Sequence, residues 1–158
     1  MSAVPERSYS LQDYFLLEET SEIRHEFLHG AIYDMTGANV RHNMIVANVI
    51  SNIHAQLRGK SCTVFPSDLR IKVEATGLYT YPDISVICGD IRYADAREDT
   101  VTNPSVIIEV LSPSTENYDR GKKFQHYRTV ETLSEYLVIA QDSARVEYYR
   151  RQEAHQWC

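Results

Sequence analysis

Two short runs of the sequence, 81–87 and 105–111, combine β-branched residues with bounding Pro, Gly and Asn, a pattern that predicts β-strands. The second run is apolar on both faces, which is typical of a central strand covered by helices. Each run carries one carboxylate, Asp83 in the first and Glu109 in the second. Because an unpaired buried carboxylate is very unfavourable, we expect Glu109 to be protonated, paired with a base or bound to a metal.

Helices are predicted where apolar residues recur every three to four positions. The clearest one runs from His42 to Leu57, and His42 is expected to be a solvated residue of its first turn. An earlier helix is predicted to begin after an N-cap at Ser10 and to end near Glu19. The expected inner face of this earlier helix consists of Leu11, Phe15 and Leu16.

A third helix is predicted near residues 119–130. At about 100° per residue, Lys123 lies about 60° from the centre of its apolar stripe, and Lys122 lies nearly opposite. We therefore expect Lys123 to border the core and Lys122 to face solvent. The stripe consists of Phe124, Tyr127 and Val130.

The rest of the chain predicts further strands and one loop. Apolar residues alternate with Arg70 and Lys72, which predicts a strand with one solvent-facing side, and residues 89–104 are polar enough to predict a surface loop. Residues 152–155 predict a turn, and residues 156–157 resemble the start of a returning strand. Either the natural protein continues beyond this point, or the strand is an exposed edge that invites pairing with a second chain. The further strands are expected over 62–73, 135–140 and 146–150.

Residues 24–35 fit two interpretations. His29 and Gly30 can form the two-residue turn of a β-hairpin, since Gly accepts a positive φ. The same stretch contains His25, Glu26 and His29 in the H-E-x-x-H spacing of zinc proteases, which would make it a zinc hydrolase site. That motif needs a helix and a third ligand downstream, whereas strand-like residues follow Gly30 at once. The hairpin is therefore the favoured interpretation.

The chain has 158 residues, of which 43% are hydrophobic, so we expect one globular domain spanning residues 1–158. Its net charge of −6 at pH 7 argues against a protein that coats nucleic acid through bulk charge. Residues 120–128 are locally basic, however, and are the predicted place of contact with phosphate or nucleic acid. The candidate contacts are Arg120, Lys122 and Arg128.

The sequence also bears on the cellular compartment. It lacks an apolar run of roughly 18 residues, so no membrane span is expected. Its first residues lack the apolar segment of a secretory signal. Three widely spaced cysteines, Cys62, Cys88 and Cys158, predict free thiols in a reducing cytoplasm rather than a disulfide framework.

Asp83, Glu109 and Lys123 together suggest metal-assisted hydrolysis at one edge of the sheet. Mg²⁺, or Mn²⁺ in its place, prefers oxygen ligands, and the two carboxylates with the backbone carbonyl of Val110 are the candidate ligands. A metal there would lower the pKa of bound water, and Lys123 is the candidate to orient that water or to offset charge on a phosphate. The alternative is a structural salt bridge from Glu109 to Lys123 or Arg120, and the spacing alone leaves both open.

Four motifs follow one another along the chain: Tyr-Pro-Asp-Ile-Ser-Val (81–86), Ile-Ile-Glu-Val-Leu-Ser-Pro-Ser-Thr (107–115), Tyr-Asp-Arg-Gly-Lys-Lys-Phe-x-x-Tyr (118–127) and Glu-Tyr-Leu-Val (135–138). In this order they resemble the Uma-two family, bacterial proteins related to restriction endonucleases within the PD-(D/E)XK nuclease superfamily. The resemblance runs from Tyr9 to Arg151 and implies an α/β, restriction-endonuclease-like core with a mixed central β-sheet flanked by helices. It also implies that Asp83 and Glu109 are the acidic residues of the site. A Glu-Phe-Leu-x-Gly-like stretch adds Glu26 to them.

The sequence departs from the superfamily pattern at Leu111, where a lysine is expected two positions after the glutamate. Lys123 of the following helix is then the lysine that completes the site. The leading hypothesis is an Mg²⁺-dependent endonuclease that hydrolyses phosphodiester bonds in DNA, and a homodimer would suit cleavage of both strands. The alternatives are a catalytically silent nuclease-like domain that binds nucleic acid or a protein partner, and the zinc hydrolase.

Overall fold

The computed structural model describes residues 8–35, 37–153 and 156–158. The helices within these ranges are α1 (Leu11–Thr20), α2 (Val40–Gln56), α3 (Glu116–Arg120) and α4 (Lys122–Tyr127). The strands are β1 (Arg24–Leu28), β2 (Ala31–Met35), β3 (Cys62–Phe65), β4 (Arg70–Val73), β5 (Leu78–Thr80), β6 (Ile84–Cys88), β7 (Tyr93–Ala94), β8 (Arg97–Val101), β9 (Val106–Val110), β10 (Glu135–Ile139), β11 (Val146–Glu153) and β12 (Gln156–Trp157). None of the described helices is long and apolar enough to cross a membrane.

The described strands form two six-stranded sheets. The first has the order β2-β1-β5-β4-β8-β7, and the second has the order β12-β11-β10-β9-β6-β3. β4 and β8 are parallel in the first sheet, β9 and β10 are parallel in the second, and the other neighbouring pairs are antiparallel. The predicted α/β class with a mixed sheet and flanking helices is confirmed, and the first sheet is an addition to it.

β9 lies inside the second sheet and carries Glu109. It is flanked by β10 on one edge and β6 on the other, and residues on both of its faces are buried, as its apolar composition predicts. Ile84 of β6 pairs with Ile108 of β9, and the same antiparallel register brings Asp83 next to Glu109. The core behind β9 consists mainly of residues from β10 and α4 and the segment that follows α4, among them Phe124, Tyr127, Val130, Leu133, Tyr136 and Val138.

The β1–β2 hairpin is confirmed, and the zinc-protease interpretation of the same residues is wrong. Leu28 pairs with Ala31 across a turn in which His29 has φ 49° and Gly30 has φ 81°. In a strand, successive side chains point to opposite faces, so His25 and Glu26 cannot act together as they would on a helix. His25 instead bonds Glu18 of α1.

The predicted helix near residues 119–130 is divided in two at Gly121, which has φ −104° and ψ −104°. A Cβ atom at this position would lie 2.9 Å from the carbonyl oxygen of Asn117 in the last turn of α3, so this backbone conformation at the junction of the two helices leaves no room for a side chain. The predicted orientation of the two lysines is confirmed: Lys123 is buried and Lys122 is exposed.

Arg70 of β4 is buried, at 3% exposure, and not solvent-facing as its strand pattern predicts. Its guanidinium nitrogens donate to the hydroxyl of Tyr81, the hydroxyl of Thr100 and the carboxylate of Asp99, at 2.9, 2.9 and 3.0 Å. The Tyr81 hydroxyl in turn donates to Glu18 at 2.7 Å. A buried guanidinium is tolerated because its nitrogens have partners, and these come from residues that are distant in sequence.

Three local predictions from the sequence have different outcomes in the structure. On α1 the buried residues are Tyr14 and Glu18, and Leu16 is exposed because the ring of Tyr14 makes the contact with the first sheet. Residues 89–104 are not a plain loop, since they include β7 and β8. Residues 156–157 do form an edge strand, paired with β11. The turn predicted over 152–155 is wrong for Gln152 and Glu153, which continue β11, and its other two residues lie outside the described part of the chain.

Cys62 and Cys88 form a disulfide, so the expectation of free thiols at these positions is wrong. β3 and β6 pair in an antiparallel register that puts the two residues directly opposite each other. Because 26 positions separate them in sequence, this proximity follows from the strand pairing and not from local spacing. Cys158 is a free, exposed thiol.

Removing the disulfide by the double substitution Cys62→Ser/Cys88→Ser should lower the free energy of unfolding by about 3 kcal/mol. The bond closes a 26-residue loop that the unfolded chain would otherwise leave open. Urea unfolding beside the oxidised wild type measures the difference. Cys158→Ser, which removes the free thiol, is the control and should leave the stability unchanged. Equal stability of wild type and double variant would contradict the prediction.

Asp99 should contribute to stability in a pH-dependent way. The hydrogen bond from Arg97, aided by the charge of Arg70, lowers the pKa of Asp99 to about 2 against the opposing effect of partial burial. Because the unfolded value is about 4, this carboxylate stabilises the fold above pH 4, and the contribution is lost as the pH falls towards 2. Asp99→Asn should therefore melt below wild type at pH 6, and the gap should close between pH 4 and pH 2.

The melting temperatures of wild type and Asp99→Asn, measured by thermal unfolding between pH 6 and pH 2, test this prediction. Glu98→Gln, at an exposed position of the same strand, is the matched control and should show no such closing gap. A difference between wild type and Asp99→Asn that stays constant with pH would be evidence against the assignment.

Candidate functional site

Asp83 and Glu109 are held side by side where β6 begins and β9 ends. The backbone N–H of Asp83 donates to Glu109 Oε1 at 2.7 Å, and the backbone N–H of Val110 donates to Asp83 Oδ2 at 2.8 Å. Each carboxylate is thus oriented by the main chain next to the other. This reciprocal arrangement follows from the antiparallel register of the two strands.

Lys123 of α4 points into the same place. Its Nζ lies 2.6 Å from Glu109 Oε2, 3.4 Å from Glu26 Oε1 and 3.9 Å from Asp119 Oδ1. The hydroxyl of Tyr127 also donates to Glu109 Oε2, at 3.3 Å. The sequence-predicted set of Asp83, Glu109, Lys123 and Glu26 is therefore brought together, with Asp119 as an additional acid.

Glu26 reaches this cluster from the first sheet. Because side chains alternate along β1, its carboxylate faces the site while His25 faces α1. The hydroxyl of Thr80 donates to Glu26 Oε1 at 2.8 Å, and the hydroxyl of Tyr118 donates to Glu26 Oε2 at 2.7 Å. Each carboxylate oxygen of Glu26 is thus held by a fixed donor.

The cluster carries more negative than positive charge. Glu26, Glu109, Asp119 and Lys123 are between 2% and 6% exposed. These three acids and Asp83 make four carboxylates around one ammonium group. Burial raises the pKa of Glu109, with Lys123 opposing the rise and Asp83 adding to it. Burial likewise raises the pKa of Asp119 to about 6. For Lys123, burial acts to lower the pKa, but the surrounding carboxylates, Glu109 first, hold it well above its ordinary value.

His42 is a member of the site that the sequence analysis misjudged as a solvated end residue. Asn39 caps α2 by accepting the backbone N–H of His42 at 2.8 Å, which fixes this residue in the first turn. The His42 Nε2 atom lies 3.2 Å from Asp83 Oδ2, and the side chain is 12% exposed. The hydrogen bond to Asp83 raises the pKa of His42, against the opposing effect of burial.

The site opens into a cavity of about 750 Å³. The β1–β2 hairpin forms one side of it, through Tyr33 and Asp34, and the segment between β9 and α3 forms another, through Ser112 and Thr115. With a side chain 22% exposed, Asp83 is more accessible than the other carboxylates of the cluster. A ligand that enters the cavity would therefore meet Asp83 before it meets the buried acids.

The three predicted phosphate contacts lie in different settings. Lys122 lines the cavity. Arg120 is bound to the carboxylates of Glu147 and Glu116. The guanidinium of Arg128 lies over the ring of Phe124, 5.1 Å from its centroid. The cavity position favours Lys122 among the three, and contact with phosphate stays a prediction for all of them.

Sequence reasoning missed Asp119, Tyr118 and His42. Of these three, only Asp119 has a sequence signal that indicates its place in the site. Asp119 lies four residues before Lys123, a spacing that puts two side chains on one helix face, so the pairing was open to prediction. The Tyr118 and His42 contacts connect elements that are distant in sequence, and a helical wheel does not indicate them. Tyr127 was expected in the core, but its hydroxyl has a polar partner as well.

The donor chemistry of the cluster suits a hard divalent cation, since carboxylate oxygens are the ligands that Mg²⁺ and Mn²⁺ prefer. Glu109 Oε1, which accepts the backbone N–H of Asp83, keeps a second lone pair for a metal, and on Asp83 the oxygen that remains for a metal is Oδ1. Within the described residues, no three His, Cys, Asp or Glu side chains are already arranged to hold an ion. The residues thus fit the cation by type, and the carbonyl of Val110 stays a predicted ligand.

Comparison with known protein families identifies a match. Residues 11–158 match the model of the Uma2 family, described as "Putative restriction endonuclease". Two uncharacterized proteins of Synechocystis sp. are similar along most of the chain. One is 36% identical over 145 residues, which cover 92% of this chain and 82% of the relative, and the other is 35% identical over 155 residues, which cover 98% and 80%. The family resemblance expected from the motifs is confirmed.

A solved structure has a similar fold. It is described as a "putative nuclease belonging to DUF820" from Anabaena variabilis, and it matches with a TM-score of 0.71 and 24% identity. The match covers 92% of this chain and 82% of the other. At this level of identity the similarity shows the fold alone.

Lys123→Met should lower the free energy of unfolding by about 3–5 kcal/mol, because it leaves buried carboxylates without their ammonium partner. Adding Glu109→Gln to it should recover part of the loss, since one of those charges is then removed. Urea unfolding at pH 7 measures both variants. Lys122→Met, at the exposed neighbouring position, is the control and should shift the stability by no more than about 0.5 kcal/mol. Equal effects of the two lysine substitutions would contradict the buried pairing.

Proposed function

The chain belongs to the Uma2 family, and from that premise we propose that it is a divalent-metal-dependent nuclease that hydrolyses phosphodiester bonds in DNA. The observation that carries the proposal is the excess of buried carboxylates around Lys123 at the base of a cavity. Uncompensated charge in a protein interior is costly, and a divalent cation would offset it. Perturbed carboxylates in a cleft are typical of a catalytic site.

In this proposal Asp83, Glu109 and the Val110 carbonyl hold Mg²⁺, or Mn²⁺ in its place. When bound, such a cation lowers the pKa of a water ligand and offsets the charge of a phosphate. Asp83 is suited to this role because it is the more exposed carboxylate and its Oδ2 is already anchored to the Val110 N–H. Glu109 lies beside it, fixed through its Oε1 to the Asp83 N–H.

Lys123 acts in this proposal as a fixed positive charge and not as a general base. A base must lose its proton near the working pH, and the pKa of Lys123 is held well above its ordinary value by the adjoining carboxylates. Its ammonium would donate a hydrogen bond to a phosphate oxygen and stabilise the charge that develops there. Glu26 positions Lys123 and is itself held by Thr80 and Tyr118.

The proposal extends to the partners and the location. DNA is the proposed substrate, with Lys122 as the phosphate contact at the cavity and Arg120 and Arg128 as outer contacts. A homodimer would place two sites on a duplex. The cytoplasm is the proposed location because bacterial DNA is there, and in that reducing compartment the Cys62–Cys88 disulfide would be open to reduction.

A catalytically silent domain that binds nucleic acid or a protein partner is the second candidate. It is favoured by one observation, the 2.6 Å contact between Lys123 and Glu109, which would also serve as a purely structural salt bridge. The two candidates differ in what they require of the carboxylates. A binding domain needs no metal-dependent turnover, whereas a nuclease does.

Asp83→Asn and Glu109→Gln should each reduce DNA cleavage at least about a hundredfold, because each removes a charge that the reaction needs. Cleavage of a plasmid and of single- and double-stranded oligonucleotides, with Mg²⁺, Mn²⁺ or EDTA, makes the measurement. Asp90→Asn, at an exposed position shortly after β6, is the matched control and should keep wild-type activity. Circular dichroism establishes that the variants remain folded.

Two outcomes would reject the nuclease. Cleavage that survives EDTA or both site substitutions would come from a contaminant or from another site. Wild-type protein that binds Mg²⁺ in calorimetry, with DNA present, and cleaves nothing would favour the silent domain.

A further inference from the structure

The side chain of His42 reaches the site from α2, an element that makes no other hydrogen bond to Asp83 or Glu109 among the described residues. Asn39 holds the His42 backbone, and the ring then extends to Asp83, with Nε2 and Oδ2 3.2 Å apart. The ring lies along the cavity and is 12% exposed. A histidine that only occupied the first turn of a helix would not need this contact with Asp83.

Because of the His42 contact, the two carboxylate oxygens of Asp83 have different surroundings. Oδ2 accepts from both the Val110 N–H and the His42 ring, at 2.8 and 3.2 Å. Oδ1 receives no hydrogen bond from the described residues. Two donors on one oxygen define the rotation of the carboxylate, and they leave Oδ1 as the atom available to a ligand.

The other ring nitrogen of His42 supports this assignment. Nδ1 is buried and makes no hydrogen bond of good geometry with the described residues, although the side chain of Asn43 is near enough to contribute to the raised pKa of His42. A buried polar atom without a partner is unfavourable, and native structures retain such atoms mainly where a neighbouring group compensates or a function requires it. Because a carboxylate only accepts, Nε2 must carry the proton in this contact. The ring is therefore held for the contact that Nε2 makes.

We propose that His42 is a positioning residue, which fixes the rotation of Asp83 so that Oδ1 is presented to the cavity. The structural part stands on the two hydrogen bonds to Oδ2, and its consequence for catalysis rests on the proposed nuclease function. Groups that orient a metal-ligating carboxylate commonly affect metal affinity or activity by about 10–100-fold. His42 would act through Asp83 and would not itself touch the substrate.

The positioning is testable in the metal-free protein by amide hydrogen exchange. His42→Phe keeps a ring and removes the donor, so Asp83 should turn and the Val110 N–H should exchange about tenfold faster or more. The Ile108 amide of the same strand should be unaffected, whereas a general loss of structure would accelerate both. His42→Gln has an amide nitrogen near the position of Nε2 and should restore the wild-type rate. His54→Phe, in the last turn of α2, is the control and should change neither amide.

Activity gives the second measurement. His42→Phe should lower kcat by about 10–100-fold with little change in KM, weaken Mg²⁺ binding in calorimetry, and be rescued by His42→Gln. If His42→Phe does not fold, His42→Asn, whose amide is too short to reach Asp83, makes the same comparison.

The results separate this inference from the proposed function. An unchanged Val110 exchange rate in the donor-free variant would overturn the positioning role, even if the protein proves to be a nuclease. Full cleavage activity in that variant would overturn the catalytic consequence. Wild-type protein without any metal-dependent cleavage would instead reject the nuclease, while the exchange experiment would still decide the role of His42.

Discussion

The buried ammonium of Lys123 is the contact on which the site depends. It binds Glu109 of the second sheet and approaches Glu26 of the first, so one charge ties both sheets to the short helix α4. A buried ammonium is acceptable only with carboxylate partners, and the carboxylates are acceptable only with a cation. Gly121 stands at the junction of α3 and α4, where a larger residue would collide with the Asn117 carbonyl of the preceding turn. The two halves of the site therefore form together.

The parts of the fold that could be predicted are those set by local patterns. The turn at Gly30 follows from residue chemistry, and the strand of Glu109 follows from its apolar composition. The burial of Arg70 and the pairing of Cys62 with Cys88 were not predicted, because each depends on residues brought together by the order of strands. A sequence pattern describes which face of a strand is apolar, but not which distant side chain will satisfy a charge on it.

The same division holds for the site. The orientation of Lys123 could be predicted because helical geometry relates its direction to the apolar stripe, and Asp83 and Glu109 could be identified because charge is rare in buried strands. The position of Asp119 in the site could have been predicted in the same way, since this residue lies one helical turn before Lys123. The role of His42 could not be predicted, because it comes from the packing of α2 against the sheet. A histidine in the first turn of a helix has no distinctive sequence signal.

Under the proposed function, a cation held by the surplus of negative charge in the site would let an acidic protein act on a polyanion. The net charge of −6 and the cluster of carboxylates both repel phosphate, so bulk attraction cannot bring DNA to the cavity. A divalent cation bound by Asp83 and Glu109 would reverse the local sign at the one place where a phosphate must approach. Productive binding of substrate would then depend on the cation, and metal-free protein would have little affinity for DNA. Under the proposed function, the acids that make the empty site repulsive are the same acids that make the loaded site selective for a phosphodiester.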